Sequence, residues 1–104
     1  MKIEVFYVAD CPNHAVTLQR LRAILSPEGF QAQVREVLVT DSRMAQALKF
    51  PGSPTIHVNG QDVEPQSEKS RVVGLMCRLY SDGTGAPSEE RLCAVIKKAR
   101  GLEF

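Results

Sequence analysis

The sequence predicts an α/β fold in which strands and helices follow the order β-α-β-α-β-β-α. Three observations carry this reading. Residues 3–8, IEVFYV, are rich in β-branched and aromatic side chains, and a helical apolar repeat begins soon after them. The stretch TIHVNGQDVE at 55–64 places Asn59-Gly60 between two short strand-like runs, a strong hairpin signal. Near the C-terminus, Leu92, Val95, Ile96 and Ala99 recur at i, i+3, i+4 and i+7, one face of an amphipathic helix.

The elements follow in order. After the first strand, Pro12 suits the first turn of a helix, where its missing N–H costs nothing. Ala15, Leu18, Leu21, Ile24 and Leu25 continue that helix, which ends before SPEGF. QVREVLV at 33–39 is the second strand. Thr40 or Asp41 caps a shorter helix through Leu48, and FPGSP stops it because a residue preceding proline is pushed out of the helical region. The hairpin comes next. The last helix runs from about Ser88 to Arg100, with Glu89 and Glu90 at its positive end and Gly101 to end it. Residues 65–87 are the least legible. VVGLMCRLY at 72–80 is apolar enough to be buried, and periodicity leaves a strand, a helical turn and an ordered loop all open.

A chain of 104 residues, 43% hydrophobic and 24% charged, fits a single domain over 1–104 with one core. Its net charge of +1 makes no electrostatic commitment to nucleic acid or an acidic membrane. The densest basic cluster, Lys97, Lys98 and Arg100, lies where a helix C-terminus favours positive charge. No apolar run approaches the roughly 20 residues that span a bilayer, so no membrane partner is expected. Met-Lys-Ile-Glu-Val enters a strand without a secretory signal pattern, and the expected location is the cytoplasm. Three cysteines argue against a secreted disulfide scaffold; in a reducing compartment they are small buried hydrophobes or reactive thiols. With no phosphate loop, dinucleotide fingerprint or nucleic-acid motif, neither an organic cofactor nor a nucleic-acid partner is expected.

The chemistry concentrates in VADCPNH at 8–14. A cysteine at a helix N-terminus faces unpaired backbone N–H groups and the positive end of the helix dipole, both of which favour the thiolate, the nucleophilic and metal-binding form. His14 lies three residues on, one turn away on the same side as Cys11. Protonated, it would favour the thiolate further; neutral, it would accept the proton or bind a metal. The plain alternatives are a packing cysteine and a solvent-facing helix histidine.

DCPNH at 10–14 together with GSPTIHVNG at 52–60 resembles the thioredoxin superfamily, its small glutaredoxin-like members in particular. The resemblance implies a central mixed four-stranded sheet flanked by helices, with residues 65–87 as an insertion before the last helix. It implies Cys11 as the active thiol beside Pro12, and Pro54 as a cis-proline facing that thiol. It also makes the backbone of Ser53, with a contribution from Thr55, the group that binds a thiol peptide or glutathione. His14 stands where the family's second cysteine would be. CRLY at 77–80 with GAPSEE at 85–90 is similar to small bacterial proteins grouped with alkylmercury lyases.

Releasing a mixed disulfide needs a second thiolate, which His14 cannot supply. Cys77, in the extra segment, would serve if that segment folds back to Cys11; otherwise it is an apolar residue in an apolar run. Cys93 borders the apolar stripe of the last helix and reads as packing, and His57 reads as a face or core residue of a strand. Three function classes follow. One is a thiol–disulfide oxidoreductase acting on protein disulfides or glutathione, with Cys11 resolved by Cys77 or by glutathione. Another is a binder of mercury, copper or an iron–sulfur cluster through Cys11 with His14 or Cys77. The third is an interaction module that kept the fold without turnover.

Overall fold

The computed structural model describes residues 1–25, 33–64, 73–80 and 83–101. The order of elements is β1 (Lys2–Tyr7), α1 (Pro12–Leu25), β2 (Gln33–Leu38), α2 (Ser42–Leu48), β3 (Thr55–Val58), β4 (Gln61–Asp62) and α3 (Glu89–Gly101). The four strands form one open mixed sheet in the order β2-β1-β3-β4. β1 runs parallel to β2, with Tyr7 opposite Leu38, and antiparallel to β3, with Phe6 opposite Thr55. The parallel pair needs a crossover, and α1 supplies it.

Alternation along β1 divides the core in two. Ile3 and Val5, both fully buried, face α1 and α3, where Leu21, Ile24, Leu92 and Ile96 close over them with Ile56 and Val58 of β3. Each such side chain contributes about 1.5–3 kcal/mol by leaving water. Phe6 points the other way and packs with Val39, Ala45 and Phe50 beneath α2. The helices thus flank the sheet on both faces.

Local chemistry sets the element ends. Asp41, not Thr40, caps α2: its carboxylate accepts a hydrogen bond from the Met44 amide at 2.8 Å. Ser88 caps α3, its hydroxyl accepting from the Arg91 amide at 3.1 Å. Gly101, expected just past this helix, is its last residue. The hairpin turns at Asn59 and Gly60, with φ of 52° and 84°, the left-handed pair that a two-residue turn of this kind requires. Its second strand is only two residues long, because the Asp62 carboxylate bends back to accept from the Glu64 amide at 2.9 Å.

Of the extra segment, residues 73–80 form an ordered loop with a single β-bridge, which selects one of the three conformations the sequence left open. Residues 65–72, with Ser81 and Asp82, lie outside the described residues. No helix among the described residues is long and apolar enough to cross a membrane.

Candidate functional site

β1 delivers the chain to the site. After Tyr7, a short turn with Asp10 at φ 60° leads to Cys11, and Pro12 opens α1. The Cys11 carbonyl accepts from the His14 amide at 3.3 Å, so Cys11 occupies the position just ahead of the helix, half-buried, with its thiol free. The positive end of the α1 dipole is directed at this residue.

His14 does not face solvent. Its ring stacks on Tyr7, with centroids 3.7 Å apart and planes 9° from parallel. Its Nε2 lies 2.7 Å from Oε1 of Glu36 on β2, and the side chain is 16% exposed. Nδ1 is buried and has no hydrogen-bond partner among the described residues, so the ring is not bonded to the Cys11 sulfur.

The other half of the site is built on residues 52–55. The Ser53–Pro54 bond is cis, as expected. Ser53 is fully buried, and its hydroxyl accepts from the Val8 amide at 3.1 Å, tying this loop to the turn that carries Cys11. Its backbone is already engaged. The Ser53 amide donates to the Met76 carbonyl at 2.7 Å, and its carbonyl accepts from the Arg78 amide at 3.0 Å, forming a parallel bridge between Ser53 and Cys77. The backbone groups expected to receive substrate therefore hold the chain's own segment. Thr55 turns inward as well, donating to the Gly52 carbonyl at 2.6 Å and accepting from Arg78 Nη1 at 3.1 Å. Pro12 is exposed at the mouth of the helix.

Cys77 is exposed and carries a free thiol. The bridge sets its backbone one strand spacing, about 4.8 Å, across from that of Ser53. Its neighbours hold it there. Arg78, 3% exposed, reaches the Asp62 carboxylate with Nη1 at 2.9 and 3.1 Å, and its Nη2 donates to the Glu64 carbonyl. The guanidinium also lies 4.5 Å from the centre of the Tyr80 ring. Tyr80 in turn donates its hydroxyl to the Pro54 carbonyl at 2.5 Å, and burial raises the pKa of that hydroxyl well above the usual tyrosine value despite the nearby Arg78 charge. Further along, Gly85 lies against the Asn13 side chain, and the Pro87 carbonyl accepts from Arg20 at 2.8 Å. Residues 73–80 and 83–87 thus border both the Ser53 loop and α1.

Arg78, Tyr80, Tyr7 and Glu36 were not singled out from the sequence. Arg78 left a signal: a charged residue inside an apolar run, once buried, requires a charged or hydrogen-bonding partner. Glu36 left none, since it is one polar residue in an ordinary strand. Cys93 packs at the margin of the main core, and His57 meets the edge of Phe6 at 4.8 Å. Among the described residues no group of three or more His, Cys, Asp or Glu side chains is arranged to hold a metal ion. A groove between the hairpin and α3, lined by Val58, Asp62, Val63, Val95 and Lys98, offers neither thiol nor imidazole.

Comparison of the chain with family models, with curated proteins and with solved structures finds no match.

Proposed function

We propose that this chain is a thioredoxin-like thiol–disulfide exchange protein in which Cys11 attacks and Cys77 resolves. The strand order, with the thiol at the start of the helix after β1, supports the thioredoxin-like reading. The observation that carries the mechanism is the Ser53–Cys77 bridge, beside a loop that is itself bonded to Val8, three residues before Cys11.

The exchange balances as follows. The Cys11 thiolate attacks one sulfur of a substrate disulfide; the old S–S bond breaks, a Cys11 mixed disulfide forms, and the leaving thiolate takes a proton. Cys77 then attacks the Cys11 sulfur, releasing the second substrate thiol and leaving a Cys11–Cys77 disulfide. The substrate gains two electrons and the protein dithiol loses them; an external thiol, such as glutathione, restores it. With the Ser53 amide already bonded to Met76, this site favours a compact disulfide, glutathione disulfide or an exposed protein disulfide, over an extended peptide that needs a backbone edge.

The test is reduction of a glutathione mixed disulfide by the pre-reduced protein with no other thiol present. Wild type is expected to complete one turnover, Cys11→Ser to be inactive, and Cys77→Ser to accumulate glutathione on Cys11. Reduction by Cys11→Ser equal to wild type contradicts the proposal.

A further inference from the structure

We infer that Glu36 and Tyr7 are positioning residues that hold His14 as the proton acceptor for Cys11, an inference that rests on the reading of Cys11 as the nucleophile. Three side chains from three elements converge: Tyr7 from the end of β1, His14 from the first turn of α1 and Glu36 from β2. Parallel pairing of β1 with β2 sets Val5 beside Glu36 and Tyr7 beside Leu38, so Glu36 emerges on the face covered by α1.

The hydrogen bond decides the tautomer. A carboxylate is an acceptor only, so at 2.7 Å the Nε2 of His14 carries the hydrogen. In the neutral ring Nδ1 is then the lone-pair nitrogen. That atom is buried and unpartnered among the described residues, which leaves its basic site unspent. Stacking on Tyr7 fixes the plane of the ring, and Glu36 fixes its rotation within that plane. Side chains in a helix lean towards its N-terminus, and one turn in that direction is Cys11. The charged or titratable side chains against the His14 ring are Glu36 from β2 and Tyr7 from β1, while Cys11 stands one turn earlier and meets His14 through its backbone carbonyl, which accepts from the His14 amide.

The step this arrangement serves is the transfer of the Cys11 S–H proton to His14 Nδ1. The thiolate then attacks, and the imidazolium later returns the proton to the departing substrate thiolate. Glu36 offsets the positive charge of the imidazolium while it exists, as outer carboxylates do for other functional histidines. The chain contains only two histidines, so ring ¹⁵N signals are assigned by comparison with His14→Gln.

The experiment joins two readouts on the full chain: the ¹⁵N tautomer of His14 and the rate at which iodoacetamide alkylates Cys11, which needs no disulfide turnover. Wild type is expected to show the Nε2–H tautomer. Glu36→Ala is expected to mix the tautomers and slow alkylation about tenfold, taking as a guide the low end of the losses when the outer carboxylate of a metal-ligating histidine is removed. Glu36→Gln, whose amide oxygen still accepts from Nε2, is expected to keep the tautomer with a smaller loss of rate. An Nδ1–H tautomer in wild type, or alkylation of Glu36→Ala at the wild-type rate, overturns the inference. Disulfide turnover can fail while alkylation still responds to Glu36, which would sink the proposed exchange reaction and leave this positioning role standing.

Discussion

Ser53 and Cys77 lie side by side in a single parallel bridge, the Ser53 amide bonded to Met76 on one side and its carbonyl to Arg78 on the other. Two backbone hydrogen bonds of this kind contribute about 0.5–1.5 kcal/mol each, too little to order a loop by themselves. The bridge persists because the residues around it are anchored: Arg78 into Asp62 and the Glu64 carbonyl, Tyr80 into the Pro54 carbonyl. Those anchors position a thiol without burying it.

Gly52 permits the close approach. A Cβ built there would stand 2.9 Å from the Arg78 Cα, and the residue holds φ at 133°. Gly52→Ala is therefore expected to push residues 76–78 off Ser53 and to destabilise the fold by about 1–3 kcal/mol. Urea denaturation measures the loss, and hydrogen exchange at the Ser53 and Arg78 amides is expected to accelerate.

Arg78→Ala strips the Asp62 carboxylate of its buried partner and leaves Thr55 and the Glu64 carbonyl short of a donor. The expected cost is about 3 kcal/mol in chemical denaturation, at the low end for breaking a buried pair because Asp62 is 17% exposed. Arg78→Lys is expected to recover part of it: the charge remains, and the forked geometry does not.

Tyr80 predicts an alkaline limit. Burial raises the pKa of its hydroxyl in the folded protein, whereas in the unfolded chain it ionises near the ordinary value of about 10. The folded state favours the neutral phenol, so its contribution is complete below about pH 10 and is lost as pH rises above that. The slope approaches 1.4 kcal/mol per pH unit. Tyr80→Phe is expected to be about 1 kcal/mol less stable at neutral pH, through the lost bond to the Pro54 carbonyl, and to lack this component of the alkaline decline. Denaturation series from pH 7 to about pH 11 compare the two.

What was legible in the sequence was local. The Asn59-Gly60 turn, the helix opened by Pro12 and the apolar stripe of Leu92 and Ile96 are each written within a dozen residues, and each is present. The choice between Thr40 and Asp41 was not, because both side chains cap well and only the backbone decides which one reaches the Met44 amide. Cys11 was legible from its place between a strand and a helix. The pairing of Ser53 with Cys77 was not, since one isolated bridge imposes no period on the chain. Glu36 was hidden for a related reason: its meeting with His14 depends on strand register, which sequence pattern alone leaves undetermined.

The most direct test is the disulfide map of the mildly oxidised protein, read by mass spectrometry after digestion without reduction. The account predicts a Cys11–Cys77 linkage, with Cys93 remaining a thiol. Cys77 left as a free thiol, with Cys11 carrying glutathione or joined to Cys93, would contradict it.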